Sequence, residues 1–178
     1  MNNPHFIVNK DKIKEKRKSL TQTSVEDDGW EIHYVDQYTN EEWIEYQMEP
    51  EYHGGEYPML VKQPLPKTND LIEIALGSNS LDEIAGVSVF IFTNEQYDKT
   101  EFRDKLIDAI EGFYEKENGE LTEFDTKKLE TVIYETSLSD STNRKPIMGK
   151  HYTEIEQDHK YYLEIAGRAK KILNQIKR

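Results

Sequence analysis

Cysteine is absent from these 178 residues, which excludes a disulfide framework and thiol catalysis. Long apolar runs are absent too. No stretch approaches the roughly 20 apolar residues of a membrane span. The N-terminal MNNPHFIVNKDKIKEKRKSL has no apolar run fit to act as a secretory signal, so the expected location is the cytoplasm, with no membrane partner. No glycine-rich phosphate loop is present: HGGEYP at 53–58 lacks the Lys and the Ser or Thr of a P-loop. Ser78, Ser80 and Ser88 have no nucleophile-elbow context. The carboxylate pairs Asp27-Asp28 and Glu41-Glu42 are adjacent in sequence, but nothing gathers either around a cleft. These gaps remove the common catalytic signatures, and the chain is read as a non-enzyme without cofactor or metal.

What is present is charge, unevenly spread. Hydrophobic residues make up 35% and charged residues 33%, with a net charge of −12. Residues 10–18 carry six Lys or Arg against two acids, while residues 26–57 carry eleven Asp or Glu and no Lys or Arg. Such an acidic segment repels phosphate backbones and attracts basic partners, which argues against nucleic acid. Charge runs are more often solvated faces than sites.

The apolar residues that remain are grouped periodically, so a core is expected. Residues 1–28, Lys-rich and sparse in apolar side chains, read as a basic, flexible arm. Residues 29–178 read as one α+β domain, mostly α. Alternation over Trp30–Met48, with turn chemistry at Tyr38-Thr39-Asn40-Glu41, predicts a β-hairpin with strands near 30–36 and 42–48. Pro50 ends the second strand. An isolated hairpin is marginal, so it is expected to pack on the helical body that follows. Thr68-Asn69 opens a short helix closed by Gly77, and Ser80-Leu-Asp-Glu83 reads as a capping box. The apolar run at 84–92 fits a buried helix or a buried strand. Asp98-Lys-Thr-Glu101 resembles a helix start, and Thr122 opens another helix. Residues 137–150 form a polar loop. From a capping box at Thr153–Glu156, a stripe of Ile155, His159, Tyr162, Ala166, Ala169, Leu173 and Ile176 predicts a long C-terminal helix across the core. His159 on that stripe reads as a core or rim histidine rather than a base.

The most unusual stretch is WIEYQMEPEYHGGEYPML, residues 43–60. Glu51 and His53 sit two apart, beside Gly54-Gly55. A metal site needs three or four ligands in defined geometry, and the only other histidine near in sequence is His33. The plainer reading is that His53 bonds locally and the glycines serve the backbone.

The spacing Asp36, Trp43, Glu51, His53-Gly54-Gly55, Pro58 and Leu60 resembles the signature of the immunity protein 27 family of bacterial polymorphic toxin systems. The resemblance covers about residues 36–60. It departs at Glu56, where a third glycine is expected, and at Tyr57, where a proline is. It implies a small cytoplasmic protein that binds and neutralises a cognate toxin. The expected partner-binding set is Asp36, Glu41, Glu42, Glu45, Tyr46, Glu51, Tyr52, His53, Glu56 and Tyr57. Trp43, Gly54, Gly55 and Pro58 are expected to build the motif's frame. An acidic, aromatic surface suits a basic toxin by charge complementarity. Two other readings stand beside it: a helical adaptor or peptide-binding protein, and a metal-dependent enzyme using Glu51 and His53.

Overall fold

In the computed structural model, residues 4–26, 29–48, 57–117 and 120–177 are described. The chain is α+β and mostly α, with 55% helix and 16% strand. It divides into two compact units, Met1–Lys67 and Thr68–Arg178.

The first unit is a five-stranded antiparallel sheet with one helix. In chain order it holds β1 (Phe6–Ile7), α1 (Lys10–Arg17), β2 (Leu20–Glu26), β3 (Glu31–Asp36), β4 (Glu42–Met48) and β5 (Tyr57–Lys62). The spatial order is β1-β5-β4-β3-β2. The predicted hairpin is therefore present as β3 and β4, with Tyr34 opposite Trp43, and it forms the middle of the sheet. Strands β2 and β5 supply the flanking hydrogen bonds that an isolated hairpin lacks. Pro58 is tolerated inside β5 because β1 pairs only with Leu60 and Val61, so no neighbour on that side needs the missing N–H.

Residues 4–26 are not a flexible arm. Phe6 and Ile7 add an edge to β5, and both side chains are buried. Asn9 caps α1, its side chain accepting the amides of Asp11 (3.0 Å) and Lys12 (3.2 Å). Only Ile13 of α1 is buried. It joins Ile7, Leu20, Trp43 and Leu60 in a small apolar cluster with Tyr34 packed beside it. The domain boundary accordingly falls after Lys67, not after residue 28.

The second unit holds α2 (Thr68–Gly77), α3 (Leu81–Tyr97), α4 (Arg103–Lys116), α5 (Glu123–Glu135) and α6 (Tyr152–Ile176). The run at 84–92 is helix, with Ile84, Val87, Phe90 and Ile91 buried. Ser80 caps it, its hydroxyl accepting the Glu83 amide. Thr122 caps α5 in the same way through the Asp125 amide at 3.1 Å. Two expected helix starts are displaced. Asp98 ends α3 rather than starting α4, which begins at Arg103 behind the buried Phe102. The capping box of α6 is His151 with Glu154, two residues before the expected Thr153: the Glu154 carboxylate accepts the His151 amide at 2.8 Å. Tyr162, Ile165, Ala166, Ala169, Ile172 and Leu173 form the buried stripe of α6, whereas His159 is exposed. Among the described residues no helix is long and apolar enough to cross a membrane.

Candidate functional site

The expected partner-binding residues fall into three groups, sorted by strand parity and by charge. Along β4, Trp43, Glu45 and Gln47 share one face, and Glu42, Ile44 and Tyr46 share the other. The basic helix α1 covers the first face. Lys16 lies 4.6 Å from the Trp43 ring centroid, and Trp43 is fully buried. Arg17 grips the fully buried Glu45 with two N–H groups, Nε to Oε2 at 2.8 Å and Nη2 to Oε1. Gln47 Nε2 donates to the same carboxylate at 2.9 Å. The hydrogen bond to Glu45 holds the Arg17 guanidinium above its usual value, against the opposing effect of burial. Burial pushes the nearby Tyr34 hydroxyl up, and the Glu45 carboxylate adds to that.

Asp36 is also interior. Its Oδ2 accepts from Lys16 at 2.6 Å and from the Ser19 hydroxyl at 2.7 Å. Its Oδ1 accepts the amides of Tyr38 (2.9 Å) and Thr39 (3.2 Å), so it builds the β3–β4 turn. Burial alone would raise its carboxyl, but these four donors outweigh it and hold Asp36 well below the usual carboxylate range. The basic and acidic blocks of the sequence thus meet inside this unit: Lys16 and Arg17 answer carboxylates 20 and 28 residues away. Asp36 and Glu45 are structural and present no surface to a partner.

Glu41 pairs with Lys62 across the sheet, and Glu42 is exposed. Tyr46 is half-buried opposite Glu31, its hydroxyl pushed up to about 12 by burial and then by the Glu31 carboxylate. Glu51, Tyr52, His53, Gly54, Gly55 and Glu56 lie outside the described residues, as does the side chain of Tyr57. The strand ends that bracket them are placed: Met48 pairs with Tyr57.

Those strand ends lie at the end of the sheet where β2 runs into β3, and there the structure groups residues that the sequence reading did not select. Val25 and Trp30 are 51% and 47% exposed. The Trp30 carbonyl accepts the Gln47 amide at 3.0 Å, which ties it to the end of β4. Gly29, with φ at +100°, makes the turn before it in a conformation that suits glycine. Glu26 and Glu31 stand directly opposite each other on β2 and β3. His33 Nε2 lies 3.6 Å from Glu26 and 3.9 Å from Glu31, and the three side chains offer donor atoms within 4.8 Å of one another, a spacing that could hold a metal ion. The readable signal for this group was period-two parity from Glu31 to His33 together with a β2 partner, and β2 was hidden in the supposed arm.

Fold and site together define an α+β chain whose sheet unit carries an acidic, aromatic end. Comparison with protein-family models, with curated proteins and with solved structures yields no match.

Proposed function

We propose that this chain is a non-enzymatic inhibitor of the immunity type, which binds and neutralises a cognate bacterial toxin through the β2–β3 end of its sheet. The observation that carries the reading is the exposed Trp30 at the sheet end where the carboxylates of Glu26 and Glu31 stand opposite each other; Val25, also exposed there, alternates to the other face. Aromatic anchors ringed by charge are favoured at protein interfaces. The Glu-x-His-Gly-Gly stretch on which the family resemblance rests is bracketed by Met48 and Tyr57. That strand pair lies at the same end of the sheet as Glu31 and its register partner Tyr46. A chain of net charge −12 steers a basic partner toward itself.

The partner residues in this reading are Glu26, Trp30, Glu31 and Tyr46, with Glu42 at the rim and residues 51–57 contributed by the motif. Asp36 and Glu45 drop out because α1 occupies them. The test is binding kinetics against the product of the neighbouring gene over a salt series. Glu26→Gln with Glu31→Gln should slow association and flatten its salt dependence, and Trp30→Ala should speed dissociation. Absence of binding, or an association rate indifferent to salt and to both glutamine substitutions, would remove this surface from the mechanism.

A further inference from the structure

The β2–β3 end of the sheet holds a group of side chains that the binding reading uses only for their charge. Glu26 and Glu31 stand directly opposite each other on neighbouring strands, and His33 follows Glu31 by two residues, so all three project from one face. Like charges directly opposite on a strand pair destabilise it. The stretch around them, residues 26–57, contains no Lys or Arg. The register therefore favours a cation at this place.

The third member is an imidazole, and its geometry is specific. His33 Nε2 lies 3.6 Å from Oε1 of Glu26 and 3.9 Å from Oε2 of Glu31, beyond hydrogen-bond reach of both. It makes no hydrogen bond. The donor atoms of all three side chains lie within 4.8 Å of one another. Two ligands of one tetrahedral zinc ion, at bond lengths of about 2.0–2.1 Å, stand roughly 3.4 Å apart. Both distances to His33 thus exceed the bound spacing by about half an ångström or less.

Access comes from the edge of the sheet. Nε2 is itself screened from water, but the groups that face it at these distances are the two carboxylates, which are the other ligands. Strand β2 is the last in the sheet. The Glu26 side chain it carries is 61% exposed, so it can turn aside in solvent and return with an ion without disturbing the core.

We propose that Glu26, Glu31 and His33 form a binding site for one divalent transition-metal ion of the zinc type. Imidazole combined with carboxylate is a donor set for zinc, whereas Ca²⁺ and Mg²⁺ select oxygen ligands and gain nothing from the imidazole. Three protein ligands leave the fourth tetrahedral position to water. The ion cancels the charge of the two carboxylates and relieves their repulsion across the strand pair. The site shares Glu26 and Glu31 with the binding surface proposed above but does not rest on that reading.

The test is a Zn²⁺ titration of the full chain alone, followed by long-range proton–nitrogen NMR of the imidazoles. His33 Nε2 should shift along a saturating curve that is complete at one equivalent, ahead of the exposed His151 and His159. An excess of Ca²⁺ or Mg²⁺ should not displace the zinc. Glu26→Gln and His33→Gln should each weaken Zn²⁺ about tenfold or more, and His159→Gln, on α6, should leave it unchanged. An unmoved His33, another imidazole saturating first, an affinity indifferent to Glu26→Gln, or ready displacement by Ca²⁺ or Mg²⁺ would each overturn the proposal. The NMR titration uses the unmodified protein, so it stands even if His33→Gln fails to fold. No toxin enters any of these measurements, so their outcome is independent of the immunity reading.

Discussion

Arg17 and Arg168 make nearly the same bond and protect different things. Arg17 grips Glu45 in the sheet unit, where the carboxylate is fully buried. Arg168 grips Glu111 and Asp108 in the helical unit, through Nε at 3.1 Å and Nη2 at 2.6 Å to each acid, and these carboxylates are 33% and 68% exposed. The units differ in what fills their interiors. The helical unit buries apolar side chains from every one of its helices. The sheet unit has a small apolar cluster of five side chains, buries Phe6, Met59 and Val61 besides, and also takes Glu45 and Asp36 inside, answered by α1. The helical unit has a buried pair as well, Glu95 with Arg103, but it ties neighbouring helices eight residues apart rather than closing a sheet over a helix. Hydrophobic burial is non-directional, so it forgives small shifts, whereas a buried ion pair stabilises only while both partners and their hydrogen bonds stay in place.

The largest expected effect tests the apolar side of that contrast. Ending the chain after Gly149 removes α6 and with it six buried side chains, Tyr162 to Leu173. The four larger ones contribute about 1.5–3 kcal/mol each when buried and the two alanines less, so the sum matches the whole stability of an ordinary domain. The truncated chain should be molten or aggregated by near-UV circular dichroism and size exclusion. A monomer that unfolds cooperatively at the wild-type temperature would show that the helical unit does not depend on its longest helix.

Next comes the direct comparison of the two arginines. Arg17→Met strands a buried carboxylate and should cost about 3–5 kcal/mol. Arg168→Met releases two acids to water and should cost no more than about 1 kcal/mol. Urea denaturation of both variants measures the difference. Equal costs would dissolve the distinction between a charged interior and a charged surface.

The reading of this chain from its sequence succeeded where the signal was local. The alternation from Trp30 to Met48 gave the hairpin, and the spacing from Tyr162 to Leu173 gave α6, although Ile165 and Ile172 were missed and His159 was wrongly placed on the buried side. It failed on residues 4–26, and the reason is range. In α1 only Ile13 is apolar and buried, so no window of that segment looks foldable. The signal is the match of Lys16 to Asp36 and Arg17 to Glu45, which no local period contains. Asn9, a good helix cap, was the one local cue passed over. The same long-range pairing changed the candidate site, because the acidic residues that looked most available were the ones already taken.

A smaller effect separates the units by pH. Asp36 titrates well below the usual carboxylate range when folded. A depressed folded value means that its contribution is present above the unfolded value of about 3.9 and is lost as pH falls below it. The sheet unit should therefore weaken in acid. Both tryptophans lie in that unit, so tryptophan fluorescence reports it selectively. Asp36→Asn should lower its stability at pH 7 and flatten the further loss between about pH 5 and pH 3. A variant that loses stability in acid as steeply as the parent would show that other groups govern the acid transition.

The smallest effect concerns two left-handed residues, one in each unit. Helix α5 ends in a complete Schellman arrangement: the Ser137 amide donates to the Tyr134 carbonyl and the Leu138 amide to the Ile133 carbonyl, both at 3.0 Å. The residue that must turn left-handed there is Ser137, with φ at +49°, where glycine is usual. In the sheet unit the β3–β4 turn places Asn40 at φ +57°, its amide bonded to the Asp36 carbonyl at 2.9 Å. Asparagine accepts this region far better than serine does, because its side chain bonds locally. A left-handed L-residue costs roughly 1–2 kcal/mol, and glycine gives back roughly 0.5–1 kcal/mol of that as unfolded-state entropy. Ser137→Gly should thus stabilise by about 0.5–1 kcal/mol, while Asn40→Gly should be close to neutral. The Ser137 carbonyl, which accepts from Arg103 at 3.2 Å, is main chain and survives the change. Urea midpoints of the two variants make the comparison. A Ser137→Gly midpoint at or below wild type would mean that the serine hydroxyl already compensates its backbone strain.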